Sequence, residues 1–462
     1  MKRKFIYLTI YTFLLSTQVL ILNSCKKFID IDNPTDQLNS NLVFADSSTA
    51  VSAVTGIYSE MLTGRNLFSN SETTLYGGLC ADELYFYTQG TRDEFYKNQI
   101  TQANHFTIDN AFWKPAYKNI YAANLAIEKL ALSQQLSASL KNQLIGEAKF
   151  IRAFCYFHLV NLFGDVPLIT SSKYQDAAKS PRAATADVYT QILLDLNDAK
   201  ILLSPQYIST ERVRPNRWTA VALLSRCYLY INRWQEAETE ASSIIVSGNY
   251  MLESNLNNVF LKNNTEAIWQ LMPVRPGANT YEALEILPLS NFSSPTYLIT
   301  STLRNSFENG DNRKVAWIKS RVFNNDTVYF PYKYKMSNNP SLNEYYTVFR
   351  LAEQYLIRAE AEINQNKITE ALADINIIRN RAGLSNTSAN STLLLKQALE
   401  KERQVEFFSE WAHRWYDLKR TGRANDVLST LKGATWQPTD ILWPIPQQEI
   451  NLNPLLTQNP GY

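Results

Sequence analysis

Residues 218–248 read WTAVALLSRCYLYINRWQEAETEASSIIVSG. Apolar and small residues recur here at three- and four-residue spacing, the period of a helix with one buried face. The pattern breaks at Asn232-Arg233 and resumes at once, so the segment reads as two helices joined by a tight turn. Leu224, Ser225, Tyr228 and Ala237 supply in order a large apolar, a small, an aromatic and an alanine residue. The small residues allow the two helix backbones to approach closely. Residues 349–383, FRLAEQYLIRAEAEINQNKITEALADINIIRNRAG, carry a looser copy with Ala359 and Ala371 in the small places. The copy departs at the aromatic place, which Glu362 occupies.

This order, in a unit of about 34 residues, is that of tetratricopeptide-like repeats. Working outward, the same period predicts helices over Thr49 to Met61 and over Asn110 to Leu132. A third is capped by Ser137 and striped by Leu140, Leu144, Ala148, Ile151, Cys155, Leu159 and Leu162. Gly164 stops it, with Pro167 following. A fourth runs from Thr185 to Leu203. The fold class is therefore mostly α: a tetratricopeptide-like helical repeat scaffold with irregular loop insertions and little β. The insertions, Asn66 to Phe106 and Met251 to Tyr346, read as non-helical, with a short strand over Val328 to Tyr334. They are rich in Asn, Ser, Gly, Pro and aromatic residues. Loops so long inside a domain are functional or disordered, and the aromatic content argues against disorder. Trp317, inside Lys314-Val315-Ala316-Trp317-Ile318, is predicted to pack in the core.

The N-terminus reads as an export signal. Lys2, Arg3 and Lys4 precede an uncharged apolar run from Phe5 to Leu22, then Leu22-Asn23-Ser24-Cys25. A cysteine at the cut resembles a bacterial lipobox, which makes residues 1–24 a signal peptide and Cys25 the lipid attachment site. The alternative is an uncleaved membrane anchor, since the run nears the roughly 18 residues needed to span a bilayer. Residues 25–42 then form a polar tether. The remainder, 43–462, is predicted to be a single α-helical domain with halves at about 43–250 and 251–462.

Composition narrows the function. Lys+Arg 45 against Asp+Glu 43 leaves a net charge of +2, which argues against nucleic acid as a partner. Apart from Cys25 there are three cysteines, Cys80, Cys155 and Cys227, and none has metal-knuckle spacing. His105, His158 and His413 are scattered, so no metal site is predicted. His158 and His413 fall between aromatics on helices and read as packing residues. No cofactor motif is present: no phosphate-binding glycine loop, nucleophile elbow or His-Glu-x-x-His.

Three further blocks carry a family resemblance. They are EAKFIRAFCYFHLVNLFGDVPL at 147–168, LEKERQVEFFSEWAHRWYDLKRTGR at 399–423 and the terminal WPIPQQEINLNPLLTQNPGY. With residues 349–383 and the start CKKFIDIDNPTDQL, they resemble the SusD/RagB family of outer-membrane nutrient-binding lipoproteins over essentially the whole mature chain. The resemblance implies a non-enzymatic, cell-surface, lipid-anchored protein of the outer membrane. It would bind an oligosaccharide or other nutrient and deliver it to a SusC-like TonB-dependent transporter. Lys26-Lys27 departs from the pattern, since acidic residues there would signal surface display more plainly.

Sugars present apolar C–H faces, on which flat aromatic rings stack with little entropy cost. In the family, the insertion after an Asp-Glu pair like Asp82-Glu83 is one place where binding aromatics sit. Carried onto this sequence, that implies Tyr85 and Tyr87 as platforms and Arg92 as a hydroxyl ligand; Tyr281, in a polar stretch, is a further platform. Tyr85 and Tyr87 alternate with Phe86, so one face of this stretch must be core. No charge attraction drives such stacking, so binding is predicted to vary little with salt. Two other readings compete. A glycoside hydrolase needs two carboxylates across a cleft, and Glu402, Glu406 and Glu410 offer them at four-residue spacing. With Arg403 and Arg414 they read instead as a charge ladder along one helix. A scaffold binding peptides or proteins would use the concave face of the repeats.

Overall fold

The computed structural model describes residues 40–87, 90–101, 105–290, 293 and 295–462. The signal segment, Cys25 and most of the tether lie outside the described residues. Helix α1 (Ser47–Thr63) starts where the Asp46 carboxylate accepts from the Ser48 and Thr49 amides. A π-helical turn, Phe68–Glu72, runs directly into α2 (Thr73–Cys80). Strand β1 (Leu84–Phe86) and α3 (Thr91–Lys97) follow. The scaffold then forms from α4 (Lys114–Leu132), α5 (Ala138–Phe163), α6 (Thr185–Leu202), α7 (Arg217–Tyr230) and α8 (Trp234–Val246). Each of these packs on the next in the chain.

The second insertion supplies β2 (Ala267–Leu271), α9 (Tyr281–Ile286), β3 (Tyr297–Ile299), α10 (Ser301–Ser306), α11 (Asn312–Trp317), β4 (Ile318–Phe323) and β5 (Asp326–Pro331). Strand β6 (Tyr346–Arg350) leads into α12 (Leu351–Asn364) and α13 (Ile368–Arg381), followed by α14 (Thr392–Phe407) and α15 (His413–Arg420). The two repeat units are neighbours in space: α12 packs on α8 and α13 on α12. The class is thus the expected one, mostly helical with little strand.

Local chemistry explains the repeat. Asn216 caps α7 by accepting from the Thr219 amide at 3.0 Å, and Thr219 Oγ1 accepts from the Asn216 amide. Asn232 takes φ of 60° in the turn and Asn366 63° in the second copy, a conformation Asn tolerates better than most residues. Ser225 is fully buried, and its hydroxyl donates to Gln354 Oε1 on α12 at 2.7 Å. Beside it, the buried Arg226–Glu353 pair at 2.6 Å ties α7 to α12. Glu362, at the divergent place, is also buried. Burial, then the Asp374 charge, lifts its carboxyl to about 8 against the pull of Arg358, 3.9 Å away.

Two expectations are corrected. The segment Asn66 to Phe106 is largely helical, not irregular. Its polar residues bond inward: Ser69 donates to Met61 O, Asn70 to Gly64 O and Thr73 to Phe68 O. Gly77 completes the fit, because a Cβ there would collide with Ala412 on the neighbouring segment. Met251 to Tyr346 likewise contains three short helices and a hairpin. That hairpin's strand covers Asp326–Pro331, short of the predicted Tyr334, and its two-residue turn is Asn324-Asn325, both with positive φ.

Trp317 is fully buried and donates to Leu256 O at 2.9 Å. His158 and His413 are buried among aromatic rings. Desolvation and Arg226 hold the His158 ring neutral, at about 3. Cys80, Cys155 and Cys227 are free and buried, and burial raises each thiol. No helix among the described residues is long and apolar enough to cross a membrane.

Candidate functional site

The site grows from one strand pair. β1 runs antiparallel to β3 with Leu84 opposite Ile299, Tyr85 opposite Leu298 and Phe86 opposite Tyr297. Strand alternation sends Leu84 and Phe86 inward, where Phe86 meets Tyr297 edge-on at 5.4 Å. Tyr85 and Tyr87 then take the other face. Asp82-Glu83 fixes where the strand begins. Arg414 grips the Asp82 carboxylate with two hydrogen bonds of 2.8 and 2.9 Å. The Asp82 and Glu83 carbonyls accept from the Thr300 hydroxyl and amide. Burial and the adjacent Asp82 raise Glu83 to about 8.

On the Tyr85 face lies an open cavity of about 360 Å³, lined by Tyr85, Tyr96, Tyr329, Thr300, Ser301, Thr327 and Arg304. Tyr85 and Tyr96 stand 6.5 Å apart at 58°, the sides of a notch. Burial raises both phenols, so both hydroxyls keep their protons near neutral pH. The Arg304 guanidinium lies 4.6 Å over the Tyr329 ring. The cavity therefore combines ring faces, hydroxyl groups and one planar cation. A larger space of about 480 Å³ among the scaffold helices is walled by ion pairs, Arg403–Asp417, Arg420–Glu360 and Arg414–Glu400. With its charges satisfied internally and a single aromatic, Trp234, it suits a sugar less well.

The predicted residues do not all meet. Tyr85 lines the cavity. Tyr87 shares its strand face, 37% exposed, but leans on the hairpin tip: its ring meets Phe323 at 5.2 Å and its hydroxyl accepts from Asn324 Nδ2. Arg92 points to the opposite face of β1. It lies 5.2 Å from Phe86 and 5.5 Å from Tyr297, with the Glu285 carboxylate at 3.9 Å. Tyr281 opens α9 half-buried against the core, its amide donating to the Tyr346 hydroxyl, and does not line the cavity. Tyr96, Arg304, Thr300 and Tyr329 escaped the sequence reading. Only their aromatic or polar type, shared by dozens of residues here, could have marked them.

The charge ladder is also corrected. α14 ends at Phe407, so Glu410 and Arg414 are off that helix. Each carboxylate pairs across the fold instead. Glu402 meets Arg313; Glu406 meets Arg350, Arg313 and Arg381; Glu410 meets Lys333 and Arg350. These carboxylates lock the second insertion to the C-terminal helices and are all buried.

Residues 27–229 match a family model described as "Starch-binding associating with outer membrane", and residues 300–462 match one described as "SusD family". The chain belongs to the SusD/RagB family. It is 26% identical to SusD-like protein P25 of Formosa agariphila, over 95% of this chain and 97% of that one. Its fold superposes on a SusD superfamily protein of Bacteroides vulgatus with a TM-score of 0.80, at 23% identity over 91% of this chain and 100% of that one. A laminarin-binding SusD-like protein gives 0.74 at 24% identity, over 90% and 99% of the two chains.

Proposed function

We propose that this SusD-like protein is a non-catalytic oligosaccharide-binding protein of the cell surface. It holds its ligand in the cavity of Tyr85, Tyr96 and Tyr329, with Tyr87 extending the platform at the hairpin tip. The observation that carries the reading is the convergence of three tyrosine rings and a set of hydroxyl donors on one open cavity between the two insertions. Ring faces cover the apolar faces of sugars, and the threonine and serine hydroxyls bond their rims. The laminarin-binding relative supports a glucan among the first ligands to try. Lipidation at Cys25 and delivery to a SusC-like TonB-dependent transporter complete the proposal, motivated by the lipobox and the family.

Calorimetry on the soluble protein that begins after Cys25, titrated with laminari- and malto-oligosaccharides after a glycan-array screen, tests it. Tyr85→Ala and Tyr96→Ala are expected to weaken binding about five- to tenfold each, on the order of 1 kcal/mol per stacking ring. Tyr281→Ala and Arg92→Met should leave affinity unchanged. A ligand whose affinity ignores both cavity variants while both stay folded moves the site elsewhere.

A further inference from the structure

Arg304 sets this cavity apart from a purely stacking site. It stands on α10, half-buried, one turn past the Thr300 cap. Among the described residues its guanidinium meets no carboxylate within ion-pair distance and has one close partner, the Tyr329 ring. The buried Arg313, Arg350, Arg381, Arg403, Arg414 and Arg420 each meet a carboxylate, and the half-buried Arg182 and Arg212, which meet none, donate to backbone carbonyls instead. The cavity lining itself contains no Asp or Glu. Asp326, whose charge reaches Tyr85, sits exposed at the hairpin turn outside the lining.

We infer that the site takes an anionic glycan, one whose sugar carries a carboxylate or a sulfate ester, with Arg304 as the residue that reads the charge. The inference rests on the oligosaccharide reading of the same cavity. A guanidinium held over a ring face, with no carboxylate in ion-pair distance among the described residues, keeps N–H groups for a ligand. Those groups match the two oxygens of a carboxylate, or two of a sulfate, side by side. Tyr329 keeps the cation in place without neutralising it. Tyr85 and Tyr96 would hold the sugar ring while the exposed Ser301 and Thr327 bond its hydroxyls. A neutral glucan would use the same rings and leave Arg304 facing water. The expectation of salt-insensitive binding is accordingly replaced: attraction to a partly exposed cation weakens as the Debye length shortens.

The test compares four probes by calorimetry: a uronic acid oligosaccharide, the same chain with its carboxyls reduced to alcohols, a sulfated oligosaccharide and its desulfated form. Wild type should bind at least one charged probe about tenfold or more tighter than its neutral counterpart, the range of a charge-assisted hydrogen-bond pair. That advantage should shrink several-fold between 0.05 and about 0.5 M salt. Arg304→Met, which keeps an apolar side chain over Tyr329, should erase the advantage, so that charged and neutral probes bind alike; Arg304→Lys should restore part of it. Which charged probe responds tells carboxylate from sulfate. Equal affinity for charged and neutral partners, an advantage that survives Arg304→Met, or no binding of either charged probe overturns the inference. Loss of neutral-probe binding in Tyr85→Ala would still uphold the oligosaccharide site in those cases.

Discussion

Replacing Arg350 by methionine removes the hub of the buried ion network and keeps nearly the same side-chain volume. Arg350 is 2% exposed and serves three carboxylates. Its Nε and Nη2 donate to Glu410 at 2.9 and 2.8 Å, and its Nη1 donates to Glu266 at 2.9 Å and to Glu406 at 2.6 Å. Methionine leaves those acids buried with fewer cations. Breaking a buried pair by deleting one partner costs about 3–5 kcal/mol. Arg381, Arg313 and Lys333 remain to hold Glu266, Glu406 and Glu410, which argues for the middle of that range, about 4 kcal/mol. At about 2 cal/mol/K of unfolding entropy per residue, that lowers the melting midpoint of a chain this long by roughly 4–5 °C.

The pH dependence adds a second check. Burial pushes the Glu406 carboxyl up, but Arg381, Arg350 and Arg313 together outweigh it and hold it well below the ordinary carboxylate range. A depressed carboxylate contributes stability above its unfolded value near 4.5 and loses it as pH falls through the folded value. Without Arg350 that contribution is smaller, so the gap between wild type and variant should hold from pH 7 to about 4.5 and narrow as pH falls further toward the folded value. Urea unfolding followed by tryptophan fluorescence at several pH values measures both quantities. A variant within 1 kcal/mol of wild type at pH 7, or a gap that widens on acidification, refutes the reasoning.

Ser225→Trp forces an indole into a fully buried contact between α7 and α12, and overpacking should destabilise by roughly 1–3 kcal/mol or more in the same unfolding assay. Gly77→Ala should lower stability by a similar amount, about 1–3 kcal/mol, because the new methyl meets Ala412; an unchanged melting midpoint would show that the two segments can part. Cys25→Ala, expressed in a Gram-negative host with a labelled fatty acid, should lose both label and membrane retention; equal labelling places the anchor elsewhere. Incubated with any oligosaccharide that it binds, the wild-type protein should release no reducing ends over hours, and steady release would return the glycoside hydrolase to consideration.

The scaffold was legible because its signals are local. The spacing around Ser225, the Asn232 turn, the Ser137 cap and the Gly164 stop each act within a few residues. The helices hidden in 66–106 were not legible. Ser69, Asn70 and Thr73 look like loop residues until their inward hydrogen-bond partners are known. Half of the site followed from alternation in Leu84-Tyr85-Phe86-Tyr87, which correctly called for one core face. Arg92 lies outside this cavity because Phe86, Tyr297 and Glu285 draw it inward, and two of those lie some two hundred residues away. Arg304 and Tyr329 reach the site only through pairing between distant segments, which spacing in the sequence cannot register; Tyr96 reaches it because α3 folds back beside β1.

The register of β1 against β3, Leu84 opposite Ile299, has a consequence for how the protein comes into being. Closing so long a loop costs entropy before any contact repays it, and structures dominated by such contacts fold slowly. The scaffold helices between these strands pack mainly on their sequence neighbours and can consolidate early, but the cavity stays unbuilt until Tyr329 and Arg304 have emerged and docked. Arg414, further still along the chain, then clamps Asp82 and seals the strand's origin. A chain that stops short of residue 414 lacks this clamp and the Leu431 wall of the cavity. Ligand binding thus becomes a strict report on completed folding, one that a helical circular dichroism signal alone cannot give.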